Sequence, residues 1–529
     1  MGSGAFPDRR VDRRSLLFTG AAGLIAGPLL AADVPDESWV NVRHFGARGD
    51  GSVIDTPAIN KAIDYAAARG GGTVYVPPGS YACYTIRLKS RITLHLDSGA
   101  IIVAAPAPQD SVGGYDVAEP QDSVFEAYQD YGHNHWRNSL IWGEGLVDIA
   151  ITGPGLIWGK GLGRGSDGYM KDPAGPGTAN KAIALKNCHN VLLRDFRILQ
   201  GGWFGLLLTG VDNLTIDNLL IDTNRDGMDI DCCRNVRVTN CTVNSPWDDG
   251  ICPKSSYALG YPRSTENVTI DNCMVTGNYV IGSVLDGTWK KLGPEFKGDV
   301  HGRIKFGTES NGGFKSITIT NCTFDDSQGL ALETVDGANM EDVTISNITM
   351  RGSFSSPFFL RLGRRMRGPA GRPVGTLKRV LISNVTSANA GWLPSIIAGL
   401  PDHPVEDVKI SDVYLHQKGG APEAMAHRIP PANEDHYPEP NMFGDLPATG
   451  FFIRHAKNVE MTNVEVALDA PDPRPAFRIE HVDGADFFRV KAPGASAFSL
   501  EDVRNFALSG SDRFKDRRIA GPVSADVRR

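Results

Sequence analysis

Two short acidic runs carry residue types that do chemistry. They are Asn224-Arg225-Asp226-Gly227-Met228-Asp229 and Asp248-Asp249-Gly250-Ile251-Cys252-Pro253-Lys254-Ser255, with Asp248 placed 22 residues after Asp226. Hydrolysis of a glycosidic bond needs a protonated acid for the leaving oxygen and a carboxylate to activate water, and paired acids supply both. Farther along lies His301-Gly302-Arg303-Ile304-Lys305. On a strand, residues 301, 303 and 305 point the same way, and a cationic face opposite clustered acids suits a substrate bearing its own carboxylate. Aspartates also fill turns of glycine-rich chains for structural reasons alone. Three in register, opposite three potential cations, favour the functional reading.

The elements that must position these residues come from a repeat. A short alternating strand, an Asn or Asp, and a second short strand recur as NVLLRDFRI from Asn190, NLTIDNLLI from Asn213, NVRVTNCTV from Asn235 and NVTIDNCMV from Asn267. The pattern continues from Ser316, Asp342, Arg379, Asp407 and Asn458, and an earlier copy starts at Asp148. Apolar residues recur at period two, the mark of half-buried strands rather than helices. No copy can bury its apolar face alone, whereas stacked coils share one continuous core. The fold class expected is all-β: a single-domain right-handed parallel β-helix, its hand following the crossover rule. With a coil of about 22 residues, Asp226 and Asp248 should sit on adjacent rungs ~4.8 Å apart, with His301 to Lys305 two coils later. A cap is expected over about residues 40–100, with a helix N-capped by Thr56, begun by Pro57 and ended at the glycines after Arg69. Long loops fall at about 284–300 and 419–450.

Composition bounds the rest. The chain has 529 residues, 22% charged and 41% hydrophobic, with 54 Lys plus Arg against 61 Asp plus Glu and a net charge of −7. That excludes a disordered chain, a membrane-embedded one and a broadly basic nucleic-acid binder. A prior of one domain per ~150 residues would give three or four domains, but a solenoid grows by adding coils, so residues 33–529 read as one. The 60 glycines are expected at tight corners. Residues 1–32, with Arg13-Arg14 before a short, glycine-rich apolar stretch, read as a twin-arginine export signal. The mature protein is then periplasmic or secreted, free of the membrane, and expected to be a monomer. Cys188, Cys241, Cys273 and Cys322 each follow an asparagine in a repeated strand and read as free, buried thiols.

These motifs resemble glycoside hydrolase family 28, the polygalacturonase family, and most closely its bacterial exported branch. NRDGMD, DDGICPKS and RIK are similar, in order and spacing, to the family patterns N-T-D-G-x-D, D-D-C-I-A-I-K-S and R-I-K. FGARGDG and GGGTVYVPPGSY are similar to the opening of pectin-active β-helix proteins more widely. The resemblance implies Asp248 as general acid, its pKa raised beside the other carboxylates, with Asp226 and Asp249 holding the attacking water. It implies that Asp226 and Asp249 also deprotonate that water, with Arg303 and Lys305 on a uronate carboxylate, an inverted anomeric centre, and neither metal nor cofactor. Asn224, Lys254, Glu309 and Trp289 are further candidates for substrate contact, as is Trp247. His133 and His135, two residues apart, are weak candidates for a metal.

One family motif departs. Where G-H-G-L-S-I-G-S is expected, the chain has Thr276-Gly277-Asn278-Tyr279-Val280-Ile281-Gly282-Ser283, so Gly277 stands in the histidine's place. This points away from a standard endo-polygalacturonase and toward a related linkage, such as rhamnogalacturonan or a terminal uronic acid. His301 is the candidate replacement. The two long loops favour exo action by walling off one end of the cleft. A pectate lyase using Ca²⁺, a uronate epimerase, and a non-catalytic carbohydrate-binding β-helix are the alternatives.

Overall fold

The computed structural model describes residues 39–108, 113–120, 126–129, 132–163, 176–296, 299–494 and 496–528. The expected export segment lies outside them.

The repeat copies form strands that stack in parallel. Val147–Thr152, His189–Arg194, Asp212–Asp217, Arg234–Thr239, Thr265–Asp271 and Phe314–Thr320 pair in that order. The period-two pattern puts Val191, Leu214, Val236, Val268 and Ile317 directly above one another. All are buried in one core running the length of the coils. Burial of each such side chain contributes about 1.5–3 kcal/mol.

The asparagine that opens each copy has a specific task. Asn190, Asn213, Asn235 and Asn267 take φ of 57°, 53°, 57° and 56°, a left-handed corner that asparagine tolerates better than most residues. Their amides form a ladder: Asn213 donates to Asn190 at 2.9 Å, Asn235 to Asn213 at 3.2 Å and Asn267 to Asn235 at 3.1 Å. These corners were expected of glycine. Glycine matters at Gly227 for another reason, since a Cβ there would lie 2.4 Å from the Gly250 carbonyl oxygen of the next coil.

The cap helix spans Thr56–Ala68, with Asp55 rather than Thr56 at the N-cap position. The Asp55 carboxylate accepts from the Arg48 and Gly49 amides at 2.7 and 3.0 Å, while the Thr56 hydroxyl accepts from the Tyr84 amide at 2.7 Å. Both side chains thus tie the helix start to neighbouring loops instead of closing its first turn. Ile59, Ala62, Ile63 and Ala66 are buried in the common core. At the far end, Ser496–Ser509 pairs antiparallel with Arg517–Ile519 and Val523–Arg528, covering a strand that would otherwise present open edge groups. All eight cysteines are buried and free.

A second face of the coils carries the site. Its strands run Ile86–Arg87, Ile141–Glu144, Lys181–Lys186, Phe204–Thr209, Asp226–Asp231 and Ile251–Lys254, all parallel. The face continues through a bridge from Ile251 to Ile304, then Lys305–Phe306 and Leu330–Thr334.

Candidate active site

The register on this face differs by one residue from the simple spacing. Met228 pairs with Ile251, so Asp249, not Asp248, stacks over Asp226. The Gly227 amide donates to the Asp249 carbonyl at 3.0 Å, and the Asp249 amide donates to Asp226 Oδ1 at 3.2 Å. Asp226 and Asp249 therefore lie buried in the wall, while Asp248 turns outward with 22% of its side chain exposed. The strand bearing Arg303 is also nearer than expected. The Gly250 amide donates to the Arg303 carbonyl at 2.8 Å, which puts Arg303 on the rung immediately after Asp248-Asp249, not two coils on. Residues between Thr276 and His301 make an excursion instead of a further coil.

The outcome is a groove of about 300 Å³ lined by Arg225, Asp248, His301, Lys305, Tyr437 and Glu439, among others. Trp247 is at its edge, tilted against Phe296 at 5.4 Å. Tyr437 and Glu439 come from the 419–450 loop, and Asp299 from the 284–300 segment. Both long loops thus reach the same groove.

Opposed charges set the electrostatics. Arg303 Nε donates to Asp249 Oδ1 at 2.7 Å, and Lys305 Nζ lies 3.2 Å from Asp249 Oδ2. Burial pushes the Asp249 carboxyl up, but Arg303 and Lys305 outweigh it and hold it below the ordinary carboxylate range. Asp248 behaves likewise: burial raises it, while Arg225, then His301 and Lys305, bring it well below the usual value. Arg225 Nε donates to Asp248 Oδ2 at 3.0 Å, and the guanidinium is carried 4.5 Å above the Trp203 ring. The raised pKa expected at Asp248 falls instead on Asp226, through burial first and then repulsion from Asp248 and Asp229. Asp226 and Asp248 thus shift in opposite directions, which favours a proton on the buried member over one on Asp248. Behind Lys305, burial drives Glu333 up to about 8, and neither of its oxygens is hydrogen-bonded.

His301 stands at the centre. One of its ring nitrogens lies within 4.8 Å of oxygens of both Asp248 and Asp249, and its Nδ1 is buried without a hydrogen-bond partner. Gly277 has no room for any side chain, because a Cβ would fall 2.6 Å from the His301 carbonyl oxygen. The backbone that delivers His301 to the groove is what excludes a histidine at 277.

Other candidates fall elsewhere. Lys254 and Glu309 are buried and pair with each other at 3.2 Å, with Glu309 also bound by Arg367. Neither lines the groove. Trp289 packs edge-on against Tyr279 at 5.2 Å, away from the groove. Asn224 is buried, and its backbone carbonyl accepts from the Trp247 amide at 3.0 Å. His133 and His135 diverge, to Asp229 at 2.9 Å and Glu126 at 3.1 Å, so they do not share a metal. Arg225, Tyr437 and Glu439 were not among the candidates that the sequence offered, whereas Glu333, opening the next coil in ALETVDG, was readable there as either a site acid or a turn acid. Arg225 was within reach, as the variable residue inside the NRDGMD motif.

The architecture is that of a right-handed parallel β-helix with an acid-and-cation groove on one face. Residues 176–352 match the family described as right handed beta helix region, and residues 39–122 match rhamnogalacturonase A/epimerase, pectate lyase-like. The chain is similar to a probable polygalacturonase of Vitis vinifera, 25% identical over 70% of this chain and 73% of that protein. It is also similar to an exo-poly-alpha-D-galacturonosidase of Dickeya chrysanthemi, 23% identical over 60% of this chain. It spans 63% of that relative, less than two thirds of its length. The crystal structure of a hyperthermoactive exopolygalacturonase from Thermotoga maritima superimposes with a TM-score of 0.58 at 19% identity, covering 94% of this chain and 96% of that one. The fold is shared throughout.

Proposed function

We propose that this chain is a glycoside hydrolase that cleaves α-linked galacturonic-acid-containing pectic polysaccharide or oligosaccharide. The observation that carries this reading is the juxtaposition of groove-lining Asp248 and Lys305 with Asp226, Asp249 and Arg303 in the wall behind them, in a chain similar to polygalacturonases over most of its length. Asp248 is the one acid of the trio that lines the groove, so it passes to the leaving oxygen a proton that it takes from buried Asp226, whose raised affinity stores it. Asp249, ionised before attack, orients the attacking water and takes up the proton that it loses. Asp249 is held on both oxygens by Arg303 and Lys305, which suits it to orienting water and not to forming a bond to the sugar. That supports single displacement with inversion, although the nearest Asp248 and Asp249 oxygens lie within 4.8 Å of each other, closer than the ~6.5–9.5 Å usual for inverting pairs. The anomer formed first, read by proton NMR, decides: the inverted β-product is expected, and initial α-product refutes inversion.

A groove of about 300 Å³ closed in by two loops supports exo action. Digestion of polygalacturonan, rhamnogalacturonan and defined oligogalacturonides should release mono- or disaccharide from the first time points. Long early oligomers would refute exo action, and an unsaturated product would indicate a lyase. The Arg13-Arg14 segment supports export. Fractionation of a host expressing the full chain should find the enzyme in the periplasm or medium, and Arg13→Lys with Arg14→Lys should retain it in the cytoplasm.

A further inference from the structure

Glu439 stands where a substrate carboxylate would be expected. It reaches Arg303 and Lys305 across 136 and 134 residues of sequence. Its Oε1 accepts from Arg303 Nη2 at 2.6 Å and from Lys305 Nζ at 3.2 Å. Lys305 Nζ then has Asp249 Oδ2 at 3.2 Å, Glu439 Oε1 at 3.2 Å and the Tyr437 hydroxyl at 3.4 Å. An ammonium has three donors, and all three of these oxygens are supplied by the chain itself. Charge agrees with geometry, because Arg303 and Lys305 are matched by Asp249 and Glu439, while Glu333, 3.9 Å from Lys305, is raised by burial toward its neutral form.

A free carboxylate entering this place would have to displace Glu439 from a buried guanidinium. It would gain only what the loop lost and would bring its own desolvation cost. A sugar bearing a hydroxymethyl or methyl group at the same carbon meets no such competition. Glu439 still lines the groove with about a fifth of its side chain exposed (21%), so its carboxylate can accept from a sugar hydroxyl.

We propose that Glu439 is a specificity-determining residue: a resident counter-ion that fixes the ring seated over Arg303 and Lys305 as a neutral sugar instead of a uronate. This rests on the pectic glycosidase reading and narrows it to chains in which neutral sugars alternate with galacturonate, the uronates falling on neighbouring positions. Asp249 alone cannot balance both cations, so removal of Glu439 leaves a positive charge in search of an anion.

The test compares the full chain with Glu439→Gln, and with Glu439→Ala in case the amide retains the loop contacts. Two readouts are needed. Calorimetric titration with galactose and galacturonic acid, a pair differing only at the carboxyl carbon, reads the site without any turnover. Rates on rhamnogalacturonan and oligogalacturonide fragments read it during catalysis. The wild type should bind galactose at least as well as galacturonic acid. Either variant should gain about tenfold or more for galacturonic acid, the range of one charge-assisted hydrogen bond, in a salt-dependent manner. The rate ratio should move toward oligogalacturonide. A wild type that favours galacturonic acid, or variants that bind it no better, overturns the role of Glu439. A wild type that binds these sugars as expected but hydrolyses neither polymer overturns the glycosidase reading and leaves the Glu439 assignment standing.

Discussion

The carbonyl of His301 runs so close to Gly277 that a Cβ at position 277 would lie 2.6 Å from its oxygen. The two positions compete for the same space, and this chain has given it to the backbone of His301. Returning a histidine to position 277 should therefore harm the enzyme. Gly277→His is expected to lose about 1–3 kcal/mol of stability through overpacking, read as a lower thermal midpoint, together with activity. His301→Ala should keep the thermal midpoint and lower kcat by about tenfold or more. Unchanged kinetics in His301→Ala would remove His301 from the mechanism.

The three aspartates predict a pH profile with widely separated limbs. Asp248 and Asp249 are held below the ordinary carboxylate value by Arg225, Arg303 and Lys305, so they stay ionised as pH falls past it. Asp226 is raised by burial and by its neighbours, so its proton persists as pH rises past that same value. Activity should set in below the usual carboxylate range and decline only well above it, with apparent values belonging to the trio as a unit. Asp226→Asn should abolish the alkaline limb along with most of the rate.

Glu333 should make the fold sensitive to pH. Its carboxyl, ringed by Lys305, Glu439, Arg303 and Asp249, is raised by burial from 4.5 to about 8. Below 4.5 the folded and unfolded chains both carry the proton. Between 4.5 and 8 only the folded chain keeps it, so this contribution to stability falls as pH rises and is gone above 8. Denaturant titrations of Glu333→Gln should show a flatter dependence across that window. An identical slope to wild type would place the ionisation elsewhere.

Lys254 and Glu309 should prove structural. Glu309→Ala takes the carboxylate at 3.2 Å from buried Lys254 and should cost about 3–5 kcal/mol, whereas Lys254→Ala leaves Glu309 paired with Arg367 and should cost less. KM of the protein that remains folded should stay near wild type. A raised KM at full stability would return them to the substrate site.

The coils were legible in the sequence because their signal is local and repeated. Period-two alternation marks the wall strands, and the recurrent asparagine marks the corner that needs φ above zero. The acid trio was legible for the same reason, since its motifs interrupt a regular pattern. The exact rung was not. One residue added between Asp226 and Ile251 decides which aspartate is buried and which faces the groove, and spacing alone does not carry that. Glu439 and Tyr437 were hidden for a different reason. They lie in a loop without periodicity, more than a hundred residues from the cations they meet, and only the folded chain brings them together. Lys254 and Glu309 sit in or beside motifs that look chemical, but their mutual burial becomes visible only in three dimensions.

The central claim is that Asp248 donates the proton that breaks a pectic glycosidic bond. Its most direct test is the rate of new reducing ends from rhamnogalacturonan and polygalacturonan with wild type and Asp248→Asn, compared at equal folded concentration. Turnover on at least one polymer is predicted for wild type, with a loss of about 10²–10⁴-fold in the variant. Equal turnover by the two proteins would contradict the account.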